Sequence, residues 1–179
     1  FGPDDAYDLT GRITGLPWAA DERHFLHLGL GYSHQFRDDF DLTYSQRPEA
    51  HLYPVALANT GGFATNGVDL VNPEAAVIYG PLSAQAEYMH AFVNQPGTGG
   101  ANFGGFYAYA SWFVTGENRP YRRAEGWFGR VKPRRNFAFD GESWGAWELA
   151  ARLSRLDLDS AGVSGGVLND VTAGINWYL

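Results

Sequence analysis

The chain has 179 residues, of which 45% are hydrophobic and 16% aromatic, with 23 glycines, no cysteine and a formal net charge of −7. This apolar and aromatic content excludes a disordered chain, and the length is sufficient to bury a sizeable core. No stretch approaches the roughly 18 apolar residues of a membrane-spanning helix, and the absence of cysteine excludes disulfides and cysteine-based zinc sites.

Alternation of apolar and polar residues predicts β-strands along the whole chain, and no segment has the spacing of an amphipathic helix. The first two strands are predicted at Leu9–Thr14 and Leu26–Ser33. Weaker alternation predicts two more, at about Leu42–Leu52 and Val68–Tyr79. Each strand places alternate side chains on opposite faces of a sheet.

Stronger alternation marks the second half of the chain. Its four strands are predicted at Leu82–Met89, Phe106–Val114, Trp147–Ser154 and Asp170–Leu179. Gly80-Pro81 opens the first of these strands, and glycine-rich stretches at Asn94–Asn102 and Ser160–Gly166 supply two reversals. The last two strands are predicted to form a hairpin with one wholly apolar side.

The alternating segments cover 6–12 residues, and the strands, about eight in number, are expected to run to about 10–13 residues, whereas strands of soluble proteins have a mode of about 5 or 6. About 9–11 tilted residues cross a bilayer. The apolar faces carry Trp and Tyr near strand ends, as lipid-facing strands with aromatic girdles do. The fold is therefore predicted to be all-β, an antiparallel transmembrane β-barrel. A soluble β-sandwich that binds carbohydrate through Trp and Tyr is the alternative, because periodicity does not say which face is wet.

Two patterns suggest nucleophilic or metal chemistry, and both have simpler explanations. Gly162–Gly166 matches the G-x-S-x-G motif, but a nucleophile elbow needs a strand-to-helix turn and a later histidine, and all five histidines precede this motif. His24, His27 and His34 cannot converge on a metal, because in a strand His27 takes the opposite face. We predict no catalytic residue, no metal site and no cofactor.

Polar-face residues are candidates for the wall of a pore. The candidates are Arg12, Glu87, Glu148 and Arg152. A glycosidase pair among the carboxylates is a second interpretation, but it depends on a separation that the sequence does not give. Its members would come from Glu49, Glu74, Glu87 and Glu148. Positions on a polar wall explain these residues better.

A long connection at about residues 115–143, here called the basic connection, carries most of the positive charge. It holds seven of the 13 basic residues against one acid, Glu125, within residues 119–135, for a net charge of +6 that leaves −13 for the rest of the chain. The basic residues are Arg119, Arg122, Arg123, Arg130, Lys132, Arg134 and Arg135. Charge concentrated in this way argues against a nucleic-acid binder, whose basic residues usually spread over a face.

The composition of the basic connection favours anion attraction. Arginine is permanently charged and its planar fork matches phosphate geometry, so a connection of this kind lining a water-filled barrel would raise the local anion concentration. Alternatively, its charges meet lipid head groups or other subunits. Its aromatic residues, Tyr121, Trp127, Phe128 and Phe137, predict that it packs against the rest of the protein.

Several long motifs closely resemble the phosphate-selective porin O and P family. They are Gly80–Met89, Tyr109–Tyr121, Phe128–Pro133, Trp144–Arg152 and Leu168–Leu179, in family order. The resemblance implies an outer-membrane, 16-stranded, trimeric porin that passes phosphate or related anions. Its implied partners are these anions, outer-membrane lipid and further copies in a homotrimer. The chain would supply about half of the strands, as one partial barrel domain over residues 1–179 from the later part of the barrel.

Two departures from the family limit what the resemblance implies. Lys132 is the single lysine, whereas lysines are prominent at the family's constriction, and the constriction loop of the earlier half is not among these residues. A barrel with a structural or anchoring role in an envelope assembly is therefore the alternative. The sequence also gives conflicting indications of how the barrel is oriented in the membrane. The length of the basic connection predicts that this connection lies on the extracellular side. In contrast, the tight turn at Gly80-Pro81 and the Trp177–Leu179 strand end are predicted to lie on the periplasmic side.

Overall fold

The computed structural model describes residues 7–50, 52–97, 99–160 and 162–179. These residues form eleven strands: β1 (Tyr7–Ala19), β2 (His24–Leu42), β3 (Ser45–Gln46), β4 (Ala58–Asn59), β5 (Phe63–Tyr79), β6 (Leu82–Asn94), β7 (Ala101–Phe113), β8 (Tyr121–Arg122), β9 (Trp127–Phe128), β10 (Ala146–Ser160) and β11 (Val163–Tyr178). Among the described residues, no helix is long and apolar enough to cross a membrane.

Seven long strands make one antiparallel sheet in the order β1-β2-β5-β6-β7-β10-β11. They are 13 to 19 residues long, so the all-β antiparallel prediction and the unusual strand length are confirmed. The C-terminal hairpin is also confirmed, with Trp147 opposite Trp177 and Leu149 opposite Ile175. Within the described residues β1 and β11 do not pair with each other, so the sheet is open.

The predicted strand at about Leu42–Leu52 is wrong. β2 continues to Leu42, and the connection from there to β5 contains only the two-residue strands β3 and β4. Pro48 and Pro54 lie in this connection, and each lacks the N–H that a ladder of backbone hydrogen bonds needs. The described residues therefore contain seven long strands instead of about eight.

The long strands place the connections at two ends of the sheet. The basic connection runs from residue 114 to 145 between β7 and β10. It lies at the same end of the sheet as the turns 20–23 and 80–81 and the C-terminal end of β11. We call this the basic end. The three features that gave conflicting orientations thus share one end. The length of the basic connection is no guide to orientation, because the connection folds back over the sheet.

Cross-strand register separates two faces of the sheet. On one, the covered face, Phe25, Ile78 and Phe113 are buried beneath the basic connection. On the other, the bare face, large apolar residues stay exposed, including Val171 (88%) and Ile175 (66%). At the end opposite the basic end, the connection 43–62 packs on the covered face over an apolar cluster. The two long connections thus lie on the same face of the sheet.

Aromatic residues border the bare face at both ends. At the basic end they are Trp18, Tyr79, Trp112, Trp147 and Trp177, and at the other end Tyr32, Tyr88, Phe92 and Phe106. On β6 the band runs from Leu82 to Phe92, a span of about 33 Å along the strand at about 3.3 Å per residue. At a tilt of about 40° this is a height of about 25 Å, the apolar thickness of transmembrane barrels.

Candidate functional site

The basic connection folds onto the covered face through its aromatic residues. Its short strands β8 and β9 pair with each other, and the rings of Tyr121 and Phe128 lie 5.1 and 6.4 Å from that of Phe25, between centroids. The predicted packing of the connection is therefore confirmed for these two residues. Trp127 differs, since its side chain is 48% exposed and its ring contacts only the Arg122 guanidinium, at 5.2 Å, among the described residues.

A polar network also ties the basic connection to the wall. His27 is buried, with Nδ1 2.7 Å from the Tyr121 hydroxyl and Nε2 3.2 Å from Glu74 Oε1. Arg12 donates from Nε to the same Glu74 oxygen at 2.9 Å, and from Nη2 to the Gly126 carbonyl at 3.1 Å. Arg12, a predicted wall residue, therefore lies on the covered face and holds the basic connection at Gly126, here called the tip of the connection.

Arg119 occupies the space between the basic connection and the sheet. Its Nη2 donates to Gln85 Oε1 at 3.0 Å, and its guanidinium lies over the rings of Phe128 and Tyr109 at 4.1 and 5.4 Å. Burial lowers the pKa of Arg119, yet an arginine stays charged in proteins. Its Nη1 is the one buried side-chain nitrogen or oxygen without a hydrogen-bond partner in the described part of the chain. Arg119 is therefore a buried charge that holds the basic connection against the sheet and leaves one donor unpaired.

Five of the seven predicted basic residues line one recess of about 500 Å³ at the basic end. They are Arg122, Arg123, Arg130, Lys132 and Arg134. Two acids, Glu22 and Glu117, share the lining. Burial raises the pKa of Glu117, but hydrogen bonds from Thr115 and from the Arg134 backbone N–H lower it by more, so this carboxylate is charged at neutral pH. The recess keeps a net positive lining.

Few of the recess charges are neutralised by a close partner. Arg122 lies 3.7 Å from Glu125, with both side chains exposed. No carboxylate of the described residues comes within 4.0 Å of a charged nitrogen of the other four recess residues. Arg135, outside the recess, lies 3.7 Å from Glu142. The recess residues are therefore available to ions in solution.

The predicted wall carboxylates lie on the covered face and accept hydrogen bonds. Glu148 is buried and accepts from Tyr109 at 2.9 Å, Asn176 at 2.9 Å and Tyr178 at 2.7 Å. Glu87 accepts from Gln85 at 2.9 Å and from Tyr107. Carboxylates outnumber guanidiniums on the middle of the wall. The carboxylates are Glu49, Glu74, Glu87, Glu148 and Asp170, and the guanidiniums are those of Arg12, Arg119 and Arg152. The positive excess therefore lies in the recess.

A second connection reaches the same wall from the opposite end. Glu49, in the connection 43–62, lies 3.0 Å from Arg152 Nε and accepts a hydrogen bond from Ser154 at 2.8 Å and one from Thr172. The Arg152 guanidinium also lies over the Tyr107 ring at 4.3 Å. The sequence gives no indication of these contacts of Glu49, because the residues that make them are distant in the chain.

The remaining sequence patterns are the three histidines and the G-x-S-x-G match. His24 and His34 lie on the bare face beside Asp21 and Asp69, at 2.9 and 2.7 Å, whereas His27 lies on the covered face, as the alternation predicted. In the G-x-S-x-G match, Gly162 lies in the turn before β11, and Val163–Gly166 are the first residues of that strand, so the match is not on a strand-to-helix turn. No group of three or more His, Asp or Glu in the described ranges could hold a metal ion.

Long antiparallel strands, an apolar face bordered by aromatic residues and a polar face beneath folded-back connections define the wall of a transmembrane β-barrel. Sequence comparison agrees with this class of protein. The chain belongs to the phosphate-selective porin O and P family, whose sequence model matches residues 2–179. This membership supports an outer-membrane location and a porin rather than an enzyme.

Two curated relatives are similar over most of the chain. An uncharacterized protein of Caulobacter vibrioides is 32% identical over 97% of this chain and 35% of its own length. Porin O of Pseudomonas aeruginosa is 26% identical over 86% of this chain and 40% of its own length. The chain thus spans between a third and two fifths of these relatives.

Proposed function

We propose that residues 1–179 form a partial barrel domain of an outer-membrane porin through which small anions such as phosphate diffuse passively. The observation that carries the proposal is the recess at the basic end, where five basic side chains converge and four have no carboxylate of the described residues within 4.0 Å of a charged nitrogen. Membership of a family described as phosphate-selective supports the same function. No catalysis and no cofactor are part of the proposal.

The chemistry of the recess suits anion attraction better than tight anion binding. Its arginine and lysine side chains are largely exposed, so they create a field in water without enclosing one ion. Such a field raises the anion concentration at the mouth of a channel, while weak multiple sites let each ion leave again. Exposed charges are screened within about 8–10 Å at physiological salt, so selectivity should weaken as salt rises.

The wall residues have a supporting role in this proposal. Arg12 and Arg119 hold the basic connection against the sheet. Glu87, Glu148 and Arg152 line the covered face as a polar surface. The bare face would contact outer-membrane lipid, and copies of the protein would form a homotrimer.

A second candidate is a barrel that does not conduct and has a structural or anchoring role. One observation favours it: connections 43–62 and 114–145 fold over the covered face from opposite ends, and Glu49 closes on Arg152 in the middle of the wall. If both connections met across the lumen, ions could not pass.

Planar-bilayer recordings of the full-length protein in a tenfold KCl gradient test the proposal. We expect channels whose reversal potential has the sign of anion preference. A cation-selective channel would contradict the anion role. Folded protein that inserts without any conductance would favour the structural barrel, and protein that stays in the aqueous phase during detergent partitioning would contradict both.

A further inference from the structure

The last part of the basic connection forms a small hairpin, residues 136–144, here called the aromatic hairpin. The Ala138 N–H donates to the Ser143 carbonyl at 3.0 Å, and the Gly141 N–H to the Ala138 carbonyl at 3.2 Å. Ser143 Oγ donates to the Arg135 carbonyl at 3.0 Å. These bonds fix the hairpin's shape, so its side chains have defined directions.

The aromatic hairpin lies against the aromatic border of the bare face. The Phe137 ring meets the Trp177 ring edge-on, with centroids 5.3 Å apart. The indole N–H groups of Trp147 and Trp177 both donate to the Trp144 carbonyl, at 3.2 and 2.7 Å. Since Trp147 and Trp177 stack on each other on the bare face, the hairpin extends the border beyond the strand ends.

The aromatic hairpin exposes two large apolar rings. Phe139 is 98% exposed and Trp144 is 68% exposed, although both belong to a hydrogen-bonded turn. Removing a phenylalanine side chain from water is favourable, so a fixed, exposed ring favours an apolar environment. The charges of the segment, Asp140 and Glu142, flank the turn, and Glu142 pairs with Arg135 at 3.7 Å.

We infer that the aromatic hairpin inserts Phe139 and Trp144 into the bilayer at the boundary between head groups and acyl chains. Continuity with the border of the bare face supports lipid as the occupant, because aromatic side chains of membrane proteins concentrate at this depth. The acidic turn would stay in the head-group layer, which suits zwitterionic phospholipid better than anionic lipid. The hairpin would thereby anchor the basic connection, and with it the recess, to the membrane surface.

This inference rests on the proposed membrane-spanning function and can be tested separately from it. The 179 residues contain no cysteine, so F139C, made in the full-length protein with any cysteine outside these residues replaced, carries one spin label. Phosphatidylcholine and phosphatidylethanolamine vesicles would hold the protein. Collision rates with oxygen report lipid exposure, and collision rates with a water-soluble nickel chelate report water exposure. V171C on the bare face and A124C in the basic connection are the lipid and water references.

We expect the oxygen-to-nickel ratio at residue 139 to lie several-fold above that of Ala124→Cys and below that of Val171→Cys, because Val171 lies nearer the middle of the apolar band. A water-like ratio at 139 beside a lipid-like ratio at 171 would overturn the inference alone. Protection of 139 from both reagents would also overturn it, in favour of a protein partner. A water-like ratio at 171 would overturn the membrane-spanning function together with the inference.

Discussion

His27 Nδ1 and the Tyr121 hydroxyl lie 2.7 Å apart, although 94 positions of sequence separate the two residues. This contact joins strand β2 of the wall to strand β8 of the basic connection. With the bond from Arg12 to the Gly126 carbonyl, it makes the tip of the connection a fixed part of the covered face. Conductance and selectivity should therefore depend on these contacts within the protein, although the residues that make them bind no ion.

Tyr121→Phe should loosen the tip of the basic connection. The change keeps the ring beside Phe25 but leaves a nitrogen of the buried His27 without its partner, at a cost of about 1–3 kcal/mol. We expect a lower denaturant midpoint and more open-channel current noise in single-channel recordings. Tyr79→Phe, on the bare face, is the matched control and should change neither. Equal noise in the two variants would show that the bond does not hold the tip.

Gly126→Ala should displace the tip where the connection approaches β1 most closely. Gly126 has φ of +69°, and a Cβ there would lie 2.5 Å from Thr14 Oγ1. Gly141→Ala is the matched control, since Gly141 has φ of +83° with nothing within 4 Å of a Cβ. Backbone strain of about 1–2 kcal/mol is common to both. Single-channel conductance should therefore change in Gly126→Ala alone, and an equal change in both variants would contradict the close contact.

Low pH should release the connection 43–62 from the wall. Burial raises the pKa of Glu49, but hydrogen bonds from Thr172 and Ser154 and the charge of Arg152 lower it by more. A lowered pKa means that the charged carboxylate stabilises the docked state at neutral pH, and that this stabilisation is lost as pH falls below about 4. Hydrogen exchange of residues 43–62, corrected for its intrinsic pH dependence, should rise between pH 7 and pH 3.

Glu49→Gln provides the control for this pH effect. The variant should show fast exchange of residues 43–62 already at pH 7 and little further change at pH 3. If the variant kept the same pH response as the natural protein, another group would be responsible for docking.

Local alternation was enough to predict most of the sheet. The pattern in Trp147–Ser154 and Asp170–Leu179 found the final hairpin, because each residue's face depends only on period 2. The same reasoning failed at Leu42–Leu52. There Leu42 ends β2, and Tyr44 packs on the cluster beneath the connection 43–62, so its ring does not mark a continuing strand.

The candidate site could be predicted only in part, because many of its contacts join segments that are distant in the sequence. The charge count located the basic connection, and its aromatic residues indicated that it packs. The sequence could not show that Arg119 turns toward the wall while Arg130 and Lys132 line the recess. It also could not pair Glu49 with Arg152, because such contacts depend on how two distant connections fold over the sheet.

The central claim is that the recess, rather than total charge, sets anion preference, and the reversal potential in a KCl gradient tests it most directly. The double variant Arg130→Gln, Lys132→Gln removes two recess charges, and Arg135→Gln, Arg155→Gln removes two charges outside the recess that pair with Glu142 and Asp157. We predict a shift toward cation preference in the first variant and no shift in the second. Equal shifts, or none in either, would contradict the account.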